Sequence, residues 1–316
     1  MTKPLDATIQ QWLNLVIQLS CHSTLTKSPM KTITCTSLSG GQGKTTTAIC
    51  LGKLLSRLGH QVLMVDADPQ ASLTFYLGHE VQPSQPTLLE VLKKEVAVED
   101  GIYEITPNLW LIPADDALDK AQEFLSGSGM SAVVLGKRLK TVAKLFQFCV
   151  IDAPPQRSQL ALTTIGAADH VIVTAEASSK GVNSLLRTLE LITELQEIDA
   201  FAGAVLGVLP FRDRWMGRTQ AKQSQKSIEM MHEIAGEIPV LPSILESEQF
   251  KKTIDQNKLP SELGHPQLEY PFEEIVRLLA ANSWVILQMM PSTVWKIDPE
   301  QQFQLEISHW RIPMMT

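Results

Sequence analysis

The chain has 316 residues, 44% hydrophobic and 19% charged, so it can bury one large core or two small ones and is not a largely disordered polymer. Its 27 Lys and Arg against 34 Asp and Glu give a net charge of −7, which excludes an overall basic coat but leaves room for a local basic face. No stretch supplies the roughly 20 apolar residues of a membrane span, and Cys21, Cys35, Cys50 and Cys149 form no C-x-x-C pair that would suggest zinc or a disulfide framework.

Residues 1–29 precede the first convincing element and end at Ser28-Pro29. Trp12–Leu19 is apolar but interrupted by Asn14 and Gln18, with no small-residue cleavage pattern after it, so a secretory signal is not expected. The segment reads as an extension, or as the product of an upstream start ahead of Met30, with a short docking helix as the alternative. A β-rich run, Lys31–Thr36, comes next. Strand-like apolar runs then recur at Gln61–Asp66, Leu109–Pro113, Phe148–Asp152, His170–Ala175 and Ala202–Pro210. Between them the spacing predicts helices over Thr45–Leu58, Val133–Phe146, Val182–Glu197 and Thr219–Ala235, with a last one near Phe272–Ala281. Apolar strands alternating with amphipathic helices predict an α/β doubly wound, mostly parallel sheet flanked by helices. The expected divisions are an extension (1–29), one domain (30–281) and a Trp- and Met-rich tail (282–316). Cys35 and Cys149 fall in apolar runs and are expected to be reduced core residues.

Ser39-Gly40-Gly41-Gln42-Gly43-Lys44-Thr45-Thr46 lies between a strand and a helix. Loops of this kind cradle phosphate because backbone N–H groups free of side chains curl round the oxygens at a helix N-terminus. The common G-x-x-x-x-G-K-[ST] spacing is absent, because position 38 is Leu; a tighter G-G-x-G-K-T-T form stands instead. Lys44 is expected to reach the β- and γ-phosphates and Thr45 to ligate magnesium, with Gly40, Gly41, Gln42, Gly43 and Thr46 completing the nucleotide cradle. Asp66 and Asp68 end one apolar strand and Asp152 another, where doubly wound sheets place their ligands. Asp66 and Asp152 are expected on the metal side, and Asp68 as the group that orients the attacking water. A carboxylate at a strand end can also be a mere turn former; beside this loop the functional reading is favoured.

Together with Asp66-Ala67-Asp68-Pro69-Gln70-Ala71-Ser72-Leu73-Thr74, Ile151-Asp152-Ala153-Pro154-Pro155 and Gly207–Arg214, this loop resembles the ParA/MinD family of deviant Walker ATPases, in the family's order and over roughly residues 30–280. The resemblance implies a P-loop fold, ATP and Mg2+ as cofactors, and ATP hydrolysis to ADP and phosphate. It further implies a nucleotide-sandwich homodimer, turnover stimulated by a ParB- or McdB-like adaptor, and positioning of a cargo. Pro210 and Arg212 would then belong to the nucleotide site. Ser39 stands where the family usually carries a lysine that reaches the partner's nucleotide. That departure looks like the maintenance-of-carboxysome-distribution (McdA) branch, which spaces carboxysomes on the nucleoid; a plasmid or chromosome is the next cargo.

Two triphosphates facing each other across an interface need cationic charge, and serine supplies none. Lys180, on a loop after the strand ending at Ala175, is expected to replace the missing lysine in catalysis, with Arg157 as the second choice. Non-specific DNA is the expected surface partner, because Arg212, Arg214, Arg218, Lys222 and Lys226 crowd fifteen residues with one acid, and Lys251 and Lys252 lie further on. Residues 1–29 leave no room for a helix-turn-helix module, so binding is expected to be sequence-independent, in a cytoplasmic, nucleoid-associated protein. The tail holds only Arg277, Lys296 and Arg311 among many apolar residues, a poor match to a basic membrane anchor. The competing readings are a membrane-associated MinD-like ATPase and a metabolic P-loop enzyme such as an ATP-dependent ligase. An iron–sulfur reductase fails because Cys50 and Cys149 are inside elements.

Overall fold

The computed structural model describes residues 30–281, except 128 and 130; the expectations for residues 1–29 and for the tail lie outside the described residues. The chain divides into two compact units, Met1–Val276 and Arg277–Thr316, and the sheet and its site belong to the first.

Eight strands form one sheet: β1 (Lys31–Thr36), β2 (Val62–Asp66), β3 (Tyr103–Thr106), β4 (Leu109–Ile112), β5 (Phe148–Asp152), β6 (His170–Glu176), β7 (Ala204–Asp213) and β10 (Ile244–Leu245), in the order β10-β7-β6-β1-β5-β2-β4-β3. All pairs are parallel except β3 with β4. The central strands are buried along nearly their whole length, which is why they read as unbroken apolar runs. Ten α-helices accompany the sheet among the described residues: α1 (Lys44–Arg57), α2 (Ser72–Tyr76), α3 (Leu88–Lys93), α4 (Ala121–Gly127), α5 (Ser131–Leu139), α6 (Gln159–Gly166), α7 (Ser179–Glu197), α8 (Lys222–Ala235), α9 (Glu248–Asp255) and α10 (Tyr270–Ala281). One apolar cluster joins Leu63, Val65, Ile112 and Ile151 to α3 and α5, and another joins Val171, Val173 and Val208 to α7 and α8. Cys35, Cys50 and Cys149 are buried free thiols.

Four expected elements differ; one is the helix expected from Val182, which begins at Ser179 behind the Ser178 cap and so takes in Lys180, expected on a loop. The helix expected over Val133–Phe146 stops at Leu139. Beyond it Thr141, Val142 and Leu145 donate to carbonyls three residues back, so turns of 3-10 type carry Val142 and Phe146 into the core at helix-like spacing. The helix expected from Thr219 begins at Lys222, because Thr219–Gln220 (β9) pairs with Trp215–Met216 (β8) in a separate antiparallel hairpin. The strand expected over Ala202–Pro210 starts two residues later and continues to Asp213. The short helices α2, α3, α4, α6 and α9 and the edge strand β3 have no counterpart among the expected elements.

Candidate nucleotide site

The carboxyl ends of β1, β2, β5, β6 and β7 bring their following loops to one edge of the sheet, where open α/β folds hold ligands. The loop Leu38–Gly43 leaves β1 and turns into α1 through Gly41 and Gly43, at φ +80° and +89°. Gly43 is required twice over: its φ is left-handed, and a Cβ there would lie 2.5 Å from the Phe211 ring. At Gly40 and Gly41 a Cβ would meet nothing within 4 Å, so their bareness serves the open side of the loop. No side chain caps the N-terminus of α1 and no acid occupies its first turn; Thr46 is half-buried there. By contrast α3, α6, α7 and α9 are capped by Thr87, Ser158, Ser178 and Ser247.

Lys44 is buried and its Nζ donates to the Ser39 carbonyl at 3.3 Å. Burial lowers its pKa, against the pull of Asp152 and then Asp68. The Thr45 hydroxyl donates to Asp152 Oδ2 at 2.6 Å, while Asp152 Oδ1 is buried without a partner. A buried carboxylate oxygen with no donor, beside a threonine hydroxyl and a bare helix N-terminus, is the oxygen-rich donor set magnesium takes when phosphate supplies further ligands. The residues therefore fit ATP and Mg2+, with Lys44 and the α1 N–H groups toward phosphate and Thr45 and Asp152 toward the metal. Bound there, the ion would neutralise charge developing on the phosphate oxygens.

Asp66 is fully buried opposite Asp152 in the β2–β5 register, but its oxygens are already engaged. Oδ1 accepts from the Asp68 N–H at 3.2 Å, and Oδ2 accepts from both the N–H and the hydroxyl of Thr74, each at 2.8 Å. Burial raises the pKa of both buried carboxyls, while the Thr74 bonds pull Asp66 back down. Sequence reasoning passes over Thr74, whose hydroxyl also accepts from the Ala114 N–H at 3.0 Å. Its signal is the eight-residue spacing from Asp66, visible only once the turn that creates α2 is known. Asp68 is less buried and caps the turn, accepting from the Gln70 N–H at 3.0 Å.

Two further strand ends close on the loop. Gln42 is fully buried; its Oε1 accepts from the Glu176 N–H at 2.8 Å and its Nε2 donates to the Gly40 carbonyl at 3.3 Å. Lys180, in the first turn of α7, donates from Nζ to that same carbonyl at 3.0 Å. Gly181 allows this close approach, since a Cβ there would stand 1.9 Å from the Glu176 carbonyl oxygen. Glu176 also accepts from Arg212 at 3.4 Å; Arg212 has φ +55° and stacks over Phe211 just past Pro210. Arg157 lies apart from this edge network, in an exposed pair with Glu194.

Of the basic residues, Arg214 pairs with Glu246 at 2.5 Å and Lys251 with Glu248 at 2.7 Å on α9. Arg218, Lys222 and Lys252 are exposed and stand outside the ion pairs formed among the described residues. Asp213, the one acid in the basic stretch, is buried and accepts from Trp215, Gln220 and Ser243. No helix among the described residues is long and apolar enough to cross a membrane.

Residues 30–200 match the family model described as an AAA domain. The chain is 63% identical over 250 residues to the maintenance of carboxysome distribution protein A of Synechococcus elongatus, covering 79% of this chain and 99% of that one. It is 32% identical over 180 residues to the sporulation initiation inhibitor protein Soj of Bacillus subtilis, covering 56% of this chain and 71% of that one. An ATP complex of a Cyanothece McdA variant superposes with a TM-score of 0.79 at 54% identity, covering 80% of this chain and 97% of that one. These matches set aside the metabolic-ligase reading. ATP with Mg2+ is the ligand, hydrolysis is the activity, and family membership carries ATP-dependent self-association and partner-stimulated turnover. The chain belongs to the ParA/MinD family of P-loop ATPases, on its carboxysome-distribution branch.

Proposed function

We propose that the chain is a positioning ATPase whose ATP-bound homodimer docks on non-specific DNA and spaces carboxysomes through a McdB-like adaptor that stimulates hydrolysis. The carboxysome assignment follows from the 63% identity to a carboxysome-distribution protein along nearly all of its length. The observation that carries the switch is Lys180, held against the phosphate loop at the Gly40 carbonyl although Ser39 leaves that loop without the family's usual lysine. Its ammonium offsets the repulsion between two triphosphates brought face to face. Asp68, exposed enough to face solvent at the same edge, orients the attacking water, while Lys44 and Thr45 hold phosphate and metal. Each protomer contributes Arg212, Arg214, Arg218, Lys222, Lys251 and Lys252, so dimerisation doubles the cationic surface and makes DNA binding nucleotide-dependent.

Light scattering and ATP turnover with and without duplex DNA test this reading. The parent is expected to dimerise with ATP and to bind duplexes of any sequence. Lys180→Ala is expected to bind ATP, stay monomeric and lose DNA binding. An ATP-driven dimer of Lys180→Ala would remove the lysine from the switch, and DNA binding indifferent to nucleotide would remove the switch itself.

A further inference from the structure

Between the nucleotide edge and α8 the chain makes a detour that neither ATP binding nor hydrolysis uses. Residues 214–219 are all exposed, and the two-residue strands β8 and β9 turn through Gly217 at φ +63°. Its first strand carries Trp215, 47% exposed, and Met216, 68% exposed, ahead of the Gly217-Arg218 turn. Successive strand residues project to opposite faces, so each face of the hairpin carries one large apolar side chain, and exposed cations flank both in sequence.

The hairpin is held rigidly. Asp213 at the end of β7 is 2% exposed; it accepts from Trp215 Nε1 at 2.9 Å, Gln220 Nε2 at 2.9 Å and Ser243 Oγ at 2.7 Å. The Arg214 N–H donates to Ser224 Oγ at 3.1 Å and the Ala221 N–H to the Arg214 carbonyl at 2.8 Å, fixing the base of the hairpin to the start of α8. The only acid in the stretch is thus consumed in anchoring. The outer face presents Arg214, Arg218, Lys222 and Lys226, and of these Arg214 is ion-paired, to Glu246.

We infer that this hairpin is a finger that enters a groove of double-stranded DNA, with Trp215 on one face and Met216 on the other against sugars and base edges and the flanking cations on phosphates. The inference rests on the DNA-docking reading above and names the element that performs it. The major groove admits a two-stranded β-ribbon, and the arginine forks match phosphate geometry. The indole N–H is already donated to Asp213, so Trp215 offers ring surface and no hydrogen bond, which suits contact without sequence readout. Two apolar side chains are too little for a membrane-surface anchor, which needs a long apolar face.

The test is fluorescence-polarisation binding of the ATP-bound full chain to a mixed-sequence duplex over a salt series. Met216→Ser leaves the Asp213 anchor untouched, and Trp215→Ala with Met216→Ser removes both apolar side chains. The double variant is expected to bind at least tenfold more weakly at every salt concentration, with the parental salt slope, because no phosphate contact is lost. Arg218→Gln with Lys222→Gln is expected to reduce the slope by about 2, near 0.9 per phosphate contact. Parental affinity in both of these variants overturns the inference. So does loss of the ATP-driven dimer, which would make the hairpin a protomer contact, or loss of binding to phosphatidylglycerol vesicles with DNA binding kept. A parent that binds no duplex with ATP refutes the DNA-docking reading itself, and the finger with it.

Discussion

Thr74 is the residue that holds the buried Asp66 carboxyl, and replacing it with valine measures that role. The side chain is 3% exposed and of nearly the same shape as valine, so Thr74→Val opens no cavity. It deletes one hydroxyl that makes two bonds. One is the 2.8 Å bond to Asp66 Oδ2, an acceptor that is charged when ionised; the other is the 3.0 Å bond from the Ala114 N–H. Losing a bond to a charged group costs about 1.5–3 kcal/mol, and leaving a buried N–H unpaired costs about 1–3 kcal/mol. The sum is about 3–5 kcal/mol after allowing Asp66 to take up a proton, which becomes easier without the hydroxyl because burial already favours its neutral form. For a domain of this size that lowers Tm by roughly 10 °C. Urea unfolding of the nucleotide-free protein reads the free energy directly, and Thr74→Ser, which keeps the hydroxyl, should stay within about 1 kcal/mol of the parent. If valine is tolerated to within about 1 kcal/mol, or serine is as damaging as valine, the hydroxyl does not hold Asp66 and the reasoning is wrong.

The glycines separate structural from ligand-facing need. Gly181→Ala is expected to cost about 2–4 kcal/mol in urea unfolding, because its Cβ would collide with the Glu176 carbonyl. Gly40→Ala should leave apo stability within about 0.5 kcal/mol yet weaken ATP binding at least tenfold by calorimetry, since only a ligand approaches that side; the reverse ranking refutes the placement of the cradle. His170 supplies a pH test. Burial lowers its pKa, Lys31 pushes the same way and Asp169 opposes them, while its Nδ1 is buried unpaired. The unfolded chain then protonates near the ordinary 6.5 while the native state still resists, so stability from neutral His170 is complete above that value and drains away as pH falls. Asp66 and Asp152, with raised pKa values, titrate in the opposite sense, so the comparison must be against His170→Gln. The parent's advantage over this variant should shrink between about pH 7.5 and 5.5; a constant difference refutes it.

How much was legible depends on which features repeat along the chain. Strands β1, β2, β5, β6 and β7 are covered on both faces, so the apolar run and the strand coincide. The phosphate loop was legible because its glycines, lysine and threonine are adjacent in sequence. Thr74, Gln42 and Glu176 act across distances of 8 and 134 residues, and no local pattern marks a hydrogen bond of that reach. The hairpin hid because two-residue strands carry no period, and Thr219 and Gln220 continue the polar face of α8 smoothly. Helix α3 escapes for another reason: its capping box, Thr87 with Glu90, is a readable signal, but six residues fall below the length at which helical periodicity separates from a short apolar run. The basic stretch was legible as composition. That its one acid is buried as an anchor, and that Arg214 and Lys251 meet Glu246 and Glu248, depends on the tertiary fold.

The electrostatics of the edge explain why nucleotide and ion belong together there. Asp66 and Asp152 are register neighbours, both fully buried, and each is pushed up chiefly by burial; at Asp152 the neighbouring Asp66 carboxyl adds to it. Lys44 sits among them with its own pKa lowered, so a single buried lysine only partly compensates these carboxyls. A polyphosphate alone would bring more negative charge toward the unpartnered Asp152 Oδ1. A divalent cation alone would find Thr45 and Asp152 but few further oxygens within the protein. Each supplies what the other requires: phosphate oxygens for the ion, and a double positive charge between phosphate and carboxylate. The α1 N-terminus, whose Thr45 hydroxyl donates to Asp152, brings partial positive charge to this edge, and Lys180 adds a cation at the Gly40 carbonyl. The bare loop at Gly40 and Gly41, the lysine within its curl and the orphan oxygen at Asp152 are therefore one electrostatic arrangement, complete only when the magnesium salt of the nucleotide is bound.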